Sequence, residues 1–449
     1  MVARSADTVS AADRSADQIR ALADARDRTL ALVAGLSDDD LARVVDPLLS
    51  PLLWDLGHIA NFEQRWLLGE DDGDLDGIYN PFDHPRAERG GLPVLNGDQC
   101  FTYMGAVRER VLARESEFDP VLLELVIQHE QQHNETILQL LRQMDGYVPP
   151  PALRADFTPP PSSAQHIRLR EAASRAYRPV SRDKDWIGFP AGEYAIGSAA
   201  GEKTLVYDNE IERHTVPLGE FEIAARPVTA GDFAEWIDLG GYERPEWWSR
   251  EGWYWLREQG EDFTRAPLGW RAAGDLWLTS DFGEEREVEM EAPVCHVNWF
   301  EADAYARAHA ARLPTEFEWE VAASCDPRAG ASGPSRLHSW GDHGWSPGAA
   351  NLDQLAFGVL RVGAADHGFG PIDMNGQVWE WTSSEFGAYP GFTPFAYKDY
   401  SAPFFDQGYR VLRGGSWATR ARSVDNRFRN WDHPERRQIF SGLRLARSL

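Results

Sequence analysis

The 449-residue chain carries 45 Lys+Arg against 71 Asp+Glu, a net charge of −26, and a surface that acidic repels the phosphates of nucleic acid and of anionic lipid. With 43% hydrophobic and 26% charged residues and only Cys100, Cys295 and Cys325 as thiols, the composition excludes disorder and a disulfide or thiolate-zinc framework; no uncharged apolar run approaches the roughly 20 residues of a membrane helix. The length predicts two domains, and an N-terminus without an apolar segment predicts a cytoplasmic location.

In chain order, Ile19, Leu22, Leu30 and Val33 recur at helical spacing and predict a first amphipathic helix. Ser50-Pro51 offers an N-cap and N1 pair ahead of Leu53, Leu56, Ile59, Phe62 and Trp66, a second helix. The acidic stretch from Glu70 to Asn80 and the loop on to Gly97 form a connection of the length that is usually functional or mobile. A weaker helical pattern spans Phe101 to Glu117. Asp119-Pro120 then opens a helix through Leu122, Leu125, Val126, His129, His133, Ile137 and Leu140. Residues 1–148 therefore predict a small up-and-down helical bundle.

Pro149, Pro150, Pro151, Pro159, Pro160 and Pro161 mark a linker within a connecting segment, 149–180. Only Trp54 and Trp66 of the 18 tryptophans precede it, so the domain from 181 to 449 is built differently. Gly and Pro punctuate short aromatic-rich runs there, and only Trp299 to Ala311 and Glu316 to Ser324 have a helical pattern. The predicted fold class is multidomain, α followed by α+β.

His129 and His133 lie one helical turn apart, so both imidazoles occupy one face, and His58 lies in another apolar helix beside Trp54 and Phe62. Such histidines are either hydrogen-bonded within the core or ligands of one ion, and imidazole suits Zn, Cu, Ni and Fe alike. His129-Glu130-Gln131-Gln132-His133 also spells H-E-x-x-H, the zinc-hydrolase pattern in which Glu activates water. Its metzincin extension fails, because Thr136 and Gln139 stand where Gly and His are required. No P-loop, G-x-S-x-G or strand-bound G-x-G-x-x-G occurs. Arg86 and Arg89, in the long loop, are either solvated or a fork for carboxylates.

Arg226-Pro227-Val228-Thr229, Arg312-Leu313-Pro314-Thr315-Glu316-Phe317-Glu318-Trp319-Glu320, Asn375-Gly376-Gln377-Val378-Trp379-Glu380-Trp381-Thr382 and Val411-Leu412-Arg413-Gly414-Gly415-Ser416-Trp417 together resemble the formylglycine-generating-enzyme fold, a C-type-lectin-like domain. The copper-holding cysteines of the enzymes that name this fold are not matched, since Cys295 and Cys325 fall outside the late segments. Trp54-Asp55-Leu56-Gly57-His58-Ile59 and His129 to Thr136 resemble the DinB-like bundle that binds metal through three histidines. With His84 to Arg89, Tyr397-Lys398-Asp399-Tyr400-Ser401 and Arg427 to Pro434, nearly the whole chain resembles the iron-dependent sulfoxide synthases of ergothioneine biosynthesis, the hercynine oxygenases.

That resemblance implies Fe(II) on His58, His129 and His133, O2 as co-substrate, and union of the sulfur of γ-glutamylcysteine with the imidazole of hercynine to give a sulfoxide. It implies a catalytic role for Tyr397, whose phenol delivers a proton or hydrogen atom. Hercynine contacts fall to Gln132, Tyr400, Asn430 and Trp431; Arg86 and Arg89 take the thiol donor's carboxylates and Asp432 its amino group. A structural Ca²⁺ loop at Asp373, Gly376, Val378 and Glu380 stands beside a plain hydrogen-bonding role for the same residues. Free cysteine versus γ-glutamylcysteine as donor stays open, and a zinc hydrolase and a noncatalytic lectin-like binding module are the rival functions.

Overall fold

The computed structural model describes residues 11–153, 186–364, 370–395 and 397–449. It divides into two compact units, Met1–Met144 and Asp145–Leu449. Residues 145–153 belong with the second because Tyr147 packs its ring on Phe282, 6.2 Å between centroids. Most of the expected linker, from residue 154 on, lies outside the described residues. No described helix is long and apolar enough to cross a membrane.

The first unit is helical: α1 Ala11–Val33, α2 Asp38–Ala42, α3 Leu52–Glu63, α4 Gly73–Ile78, α5 Gly97–Leu112 and α6 Pro120–Gln143. α1 packs along α6, and α3 packs along both α5 and α6. All twelve residues of α3 are buried, which makes it the central helix. A π turn, Gln64–Leu68, continues it and ends at Gly69, whose left-handed φ of 65° stops the helix.

Two local expectations are corrected here. The N-cap of α3 is Pro51, and the hydroxyl of Ser50 instead accepts a hydrogen bond from Arg89 Nη1 at 2.8 Å. The helix expected over Phe101–Glu117 starts at Gly97 and ends at Leu112, because Asn96 and Gln99 form a reciprocal capping box at its start. At α6 the reading holds: Asp119 Oδ1 accepts the Val121 N–H at 2.7 Å, with Pro120 at the first helical position.

The second unit is α+β. Its described strands are β1 Trp186–Phe189, β2 Gly192–Ile196, β3 His214–Leu218, β4 Phe221–Ala224, β5 Trp270–Ala273, β6 Leu276–Asp281, β7 Glu284–Glu287, β8 Trp379–Glu385, β9 Arg410–Arg413, β10 Asn430–Asp432, β11 Ser441–Gly442 and β12 Ala446–Ser448. They form sheets β1-β4-β12 and β10-β9-β8-β11, a β2-β3 hairpin and a β5-β6-β7 meander. All pairings are antiparallel except β8 with β11. Helices α7 Ala230–Asp238, α8 Arg250–Glu258, α9 Trp299–Ala308 and α10 Glu316–Ser324 complete it. The sequence reading missed α7 and α8, which are nine residues each; the signal was the Thr229/Asp232 capping box.

Most of the motif segments prove to be scaffold. Buried ion pairs join Glu316 to Arg429 (2.7 Å), Glu320 to Arg413, Glu301 to Arg437 (2.9 Å) and Glu380 to Arg444 (2.8 Å). The residues named for a calcium loop have the following partners. The Glu380 carboxylate is committed to Arg444 and to Trp319 Nε1 at 2.7 Å, and Asp373 Oδ2 accepts the Gly363 N–H at 2.8 Å. Gly376, at a φ of 81°, packs against the Asn351 backbone, and the Val378 side chain is buried.

Candidate functional site

Among the described residues, the one group of side chains that gathers metal-ligand atoms is His58, His129 and His133, whose ligand atoms all lie within 4.8 Å of one another. α3 delivers the first and α6 the other two. Aromatic neighbours one turn away hold the rings: Trp54 stacks on His58 at 4.8 Å and 12°, and Phe62 on His129 at 3.6 Å and 8°. The Tyr79 carbonyl lies 2.8 Å from His58 Nδ1 and accepts a hydrogen bond from its N–H, so Nε2 carries a bare lone pair, 3.2 Å from His129 Nε2.

Burial, reinforced by His133 next door, holds the imidazoles of His58 and His129 well below the ordinary histidine range. They are neutral, the state in which imidazole binds a metal. Three clustered imidazole nitrogens fit a divalent ion, with no carboxylate among them.

Glu130 points elsewhere. It is 1% exposed and accepts from Arg26 Nε at 2.8 Å, Thr29 Oγ1 at 2.8 Å and Arg108 Nη2 at 3.0 Å, while the same two arginines bind Glu63 at 2.7 and 2.6 Å. Burial pushes the Glu130 carboxyl up, but Arg26 and Arg108 outweigh it and hold the group below the usual range. A water-activating base must present a free carboxylate oxygen beside the metal. The H-E-x-x-H zinc-hydrolase reading is therefore set aside: the motif's Glu is a structural anchor for α6.

The two loop arginines have different surroundings. Arg86 is exposed. Arg89 is 8% exposed, donates to the carbonyls of His84 (3.0 Å) and Pro81 (3.2 Å) and to Ser50 Oγ (2.8 Å), and lies 3.7 Å above the Trp54 ring. Burial lowers its pKa to about 10 against the supporting charge of Asp55. Trp54 thus contacts both Arg89 and His58. Gln132, half-buried, sits on α6 beside His133.

In the second unit, Tyr397, Tyr400 and Trp431 fall into one aromatic cluster. Trp431 stacks on Phe386 at 4.1 Å and meets Tyr400 edge-on at 5.4 Å; Tyr400 stacks on Tyr207 at 4.4 Å, and the Tyr397 ring is 6.1 Å from that of Tyr400. The turn is anchored at Ser401, fully buried, which donates to Asp208 Oδ1 and accepts from Asn209 Nδ2 at 2.9 Å. Asn430 Oδ1 accepts the Trp431 N–H at 2.9 Å. Asp432 Oδ1 accepts the His433 N–H at 2.8 Å, and its other oxygen faces Arg436 at 3.6 Å. Sequence reasoning missed Asp55, Tyr79, Tyr207 and Asp208. A charged residue inside an otherwise apolar helix was the signal for Asp55; the others come together only through the fold.

Residues 172–449 match the family described as sulfatase-modifying factor enzyme 1-like domain, and residues 21–124 match the DinB superfamily. The chain is similar to the hercynine oxygenase of Mycolicibacterium smegmatis, 41% identical over 95% of this chain and 97% of that one. It is also similar to the formylglycine-generating enzyme of Streptomyces coelicolor, 32% identical over 58% of this chain and 87% of that one. The solved structure of PvdO from Pseudomonas aeruginosa overlaps 59% of this chain and 94% of its own, with a TM-score of 0.41 and 22% identity.

Proposed function

Because this chain belongs to the hercynine oxygenase family, we propose that it is a non-heme iron enzyme of ergothioneine biosynthesis, acting in the cytoplasm, that joins the sulfur of γ-glutamylcysteine to the imidazole carbon of hercynine. The observation that carries the iron assignment is the convergence of three imidazoles without a carboxylate ligand. The balance is closed by O2: the C–H and S–H hydrogens leave with one oxygen atom as water, the C–S bond forms, and the other oxygen atom stays on sulfur as the sulfoxide. Iron(II) held by His58, His129 and His133 supplies the O2 chemistry that no side chain provides.

The chain's own residues bind, orient and move a proton. Aromatic faces suit the trimethylammonium of hercynine, which supports Tyr400 and Trp431 as its contacts, with Gln132 and Asn430 as polar partners. Arg86, exposed on its loop, is the carboxylate fork for the thiol donor, and Arg89 shapes that loop from beneath. Asp432 serves the donor's amino group. Tyr397 holds a proton on its neutral phenol oxygen and delivers it, leaving a phenolate that is reprotonated before the next turnover.

The test is anaerobic loading with Fe(II), then O2 with hercynine and either γ-glutamylcysteine or cysteine, read by mass spectrometry. A product containing both substrates plus one oxygen atom supports the reading, and the better thiol identifies the donor. Absence of any O2-dependent joined product from both thiols overturns it.

A further inference from the structure

Asp55 has no part in the reading above. It lies on α3 three residues before His58 and is 1% exposed. Its Oδ1 is 3.5 Å from His133 Nδ1. Its Oδ2 and that same Nδ1 are both buried without a hydrogen-bond partner. A carboxylate kept in a fully buried helix needs a counterpart, since a lone buried charge is among the costliest groups to place in a core. Arg89 feels this charge, but its guanidinium is bonded to His84, Pro81 and Ser50 and forms no ion pair with Asp55. The group that faces Asp55 at close range is the His133 ring.

We propose that Asp55 is a positioning residue of the metal centre. Its carboxylate accepts a hydrogen bond from the Nδ1–H of His133, so that Nε2 is the bare nitrogen that ring offers, and it places one negative charge beside an ion otherwise held by imidazoles. The Tyr79 carbonyl does the corresponding service for His58 through a neutral acceptor. Two of the three rings are therefore fixed from behind, one by a dipole and one by a charge, and the charged contact adds attraction for the cation. The proposal rests on the reading of His58, His129 and His133 as ligands.

The experiment titrates metal-free, full-length protein with Co(II) alone, following its visible absorption, for the wild type, Asp55→Asn, His133→Ala and the double variant. Asp55→Asn should weaken Co(II) binding by about 10- to 100-fold, and should add a much smaller loss in the His133→Ala background, where only the through-space attraction of the charge remains. Equal affinity of wild type and Asp55→Asn, or an undiminished extra loss in the double variant, overturns the proposal. A wild type that binds no Co(II) overturns the three-histidine reading instead. If Asp55→Asn does not fold, the imidazole ¹⁵N spectrum of the metal-free wild type decides: a proton on His133 Nδ1 supports the proposal, and a proton on Nε2 with Nδ1 bare overturns it.

Discussion

Removing the hydroxyl of Tyr397 while keeping its ring separates proton delivery from packing. Tyr397→Phe should bind hercynine as the wild type does but shift product from the joined sulfoxide toward simple thiol oxidation, with O2 still consumed; product partition is the quantity to measure. The arginine pair makes a second contrast. Arg86→Ala should raise the KM for the thiol donor about 10-fold or more, the value of a lost charged hydrogen bond, and leave the melting temperature alone. Arg89→Ala should lower the melting temperature, since it removes three loop hydrogen bonds and the cation face on Trp54. Equal thermal effects of the two substitutions would contradict the division of labour. Only part of this contrast was legible in the sequence, because the partners of Arg89 are backbone carbonyls whose positions exist only once the loop has closed. The histidines were legible because helical spacing alone puts His129 and His133 on one face. Glu130 was not: a five-residue motif cannot tell which way the intervening side chain points.

At the scale of elements, α3 carries the site and has no slack. A Cβ on Gly57 would run into the Tyr79 ring, which is fully buried and accepts the Leu95 N–H through its hydroxyl at 3.1 Å. Ala is the better helix former by about 1 kcal/mol, yet Gly57→Ala should lower the melting temperature, because overpacking a rigid core outweighs that gain. It should also loosen Co(II) binding, by displacing the carbonyl that fixes His58; a more stable variant with unchanged affinity would refute the coupling. In the second unit, the segment Tyr207–Asn209 braces the Tyr397–Ser401 turn through one ring stack and the Ser401 clamp. Asp208→Ala should therefore lower turnover while Co(II) affinity stays unchanged. The long apolar helices α3 and α6 were readable because their period persists over several turns. α7 and α8 were passed over although the N-caps Thr229 and Ser249 mark their starts, because they lie among closely spaced Gly, Pro and Trp residues that read as loop.

Across the whole molecule, buried charge is handled in two ways. The first unit gathers Arg26, Arg108, Glu63 and Glu130 into one four-membered knot, so Glu130→Ala leaves two buried guanidiniums undercompensated and should cost about 3–5 kcal/mol of stability in a denaturant titration. In the second unit Glu301, Glu316, Glu320 and Glu380 each meet a separate arginine, while Lys203 serves both Glu210 and Asp425. The distribution of tryptophan already separated the two halves in the sequence. The pairing scheme did not show there, because each of the four arginines lies 64 to 136 positions from its glutamate.

Those separations impose an order in time. All four arginines, Arg413, Arg429, Arg437 and Arg444, come after all four glutamates in the chain. On a ribosome adding about 5–20 residues per second, the helices bearing Glu301, Glu316 and Glu320 emerge well before the cations that neutralise them. The first unit's knot, by contrast, is complete once Glu130 has emerged. A nascent chain halted at Gly408 should thus present a protease-resistant first unit and a protease-sensitive remainder, and resistance should appear in the remainder only as synthesis passes Arg444.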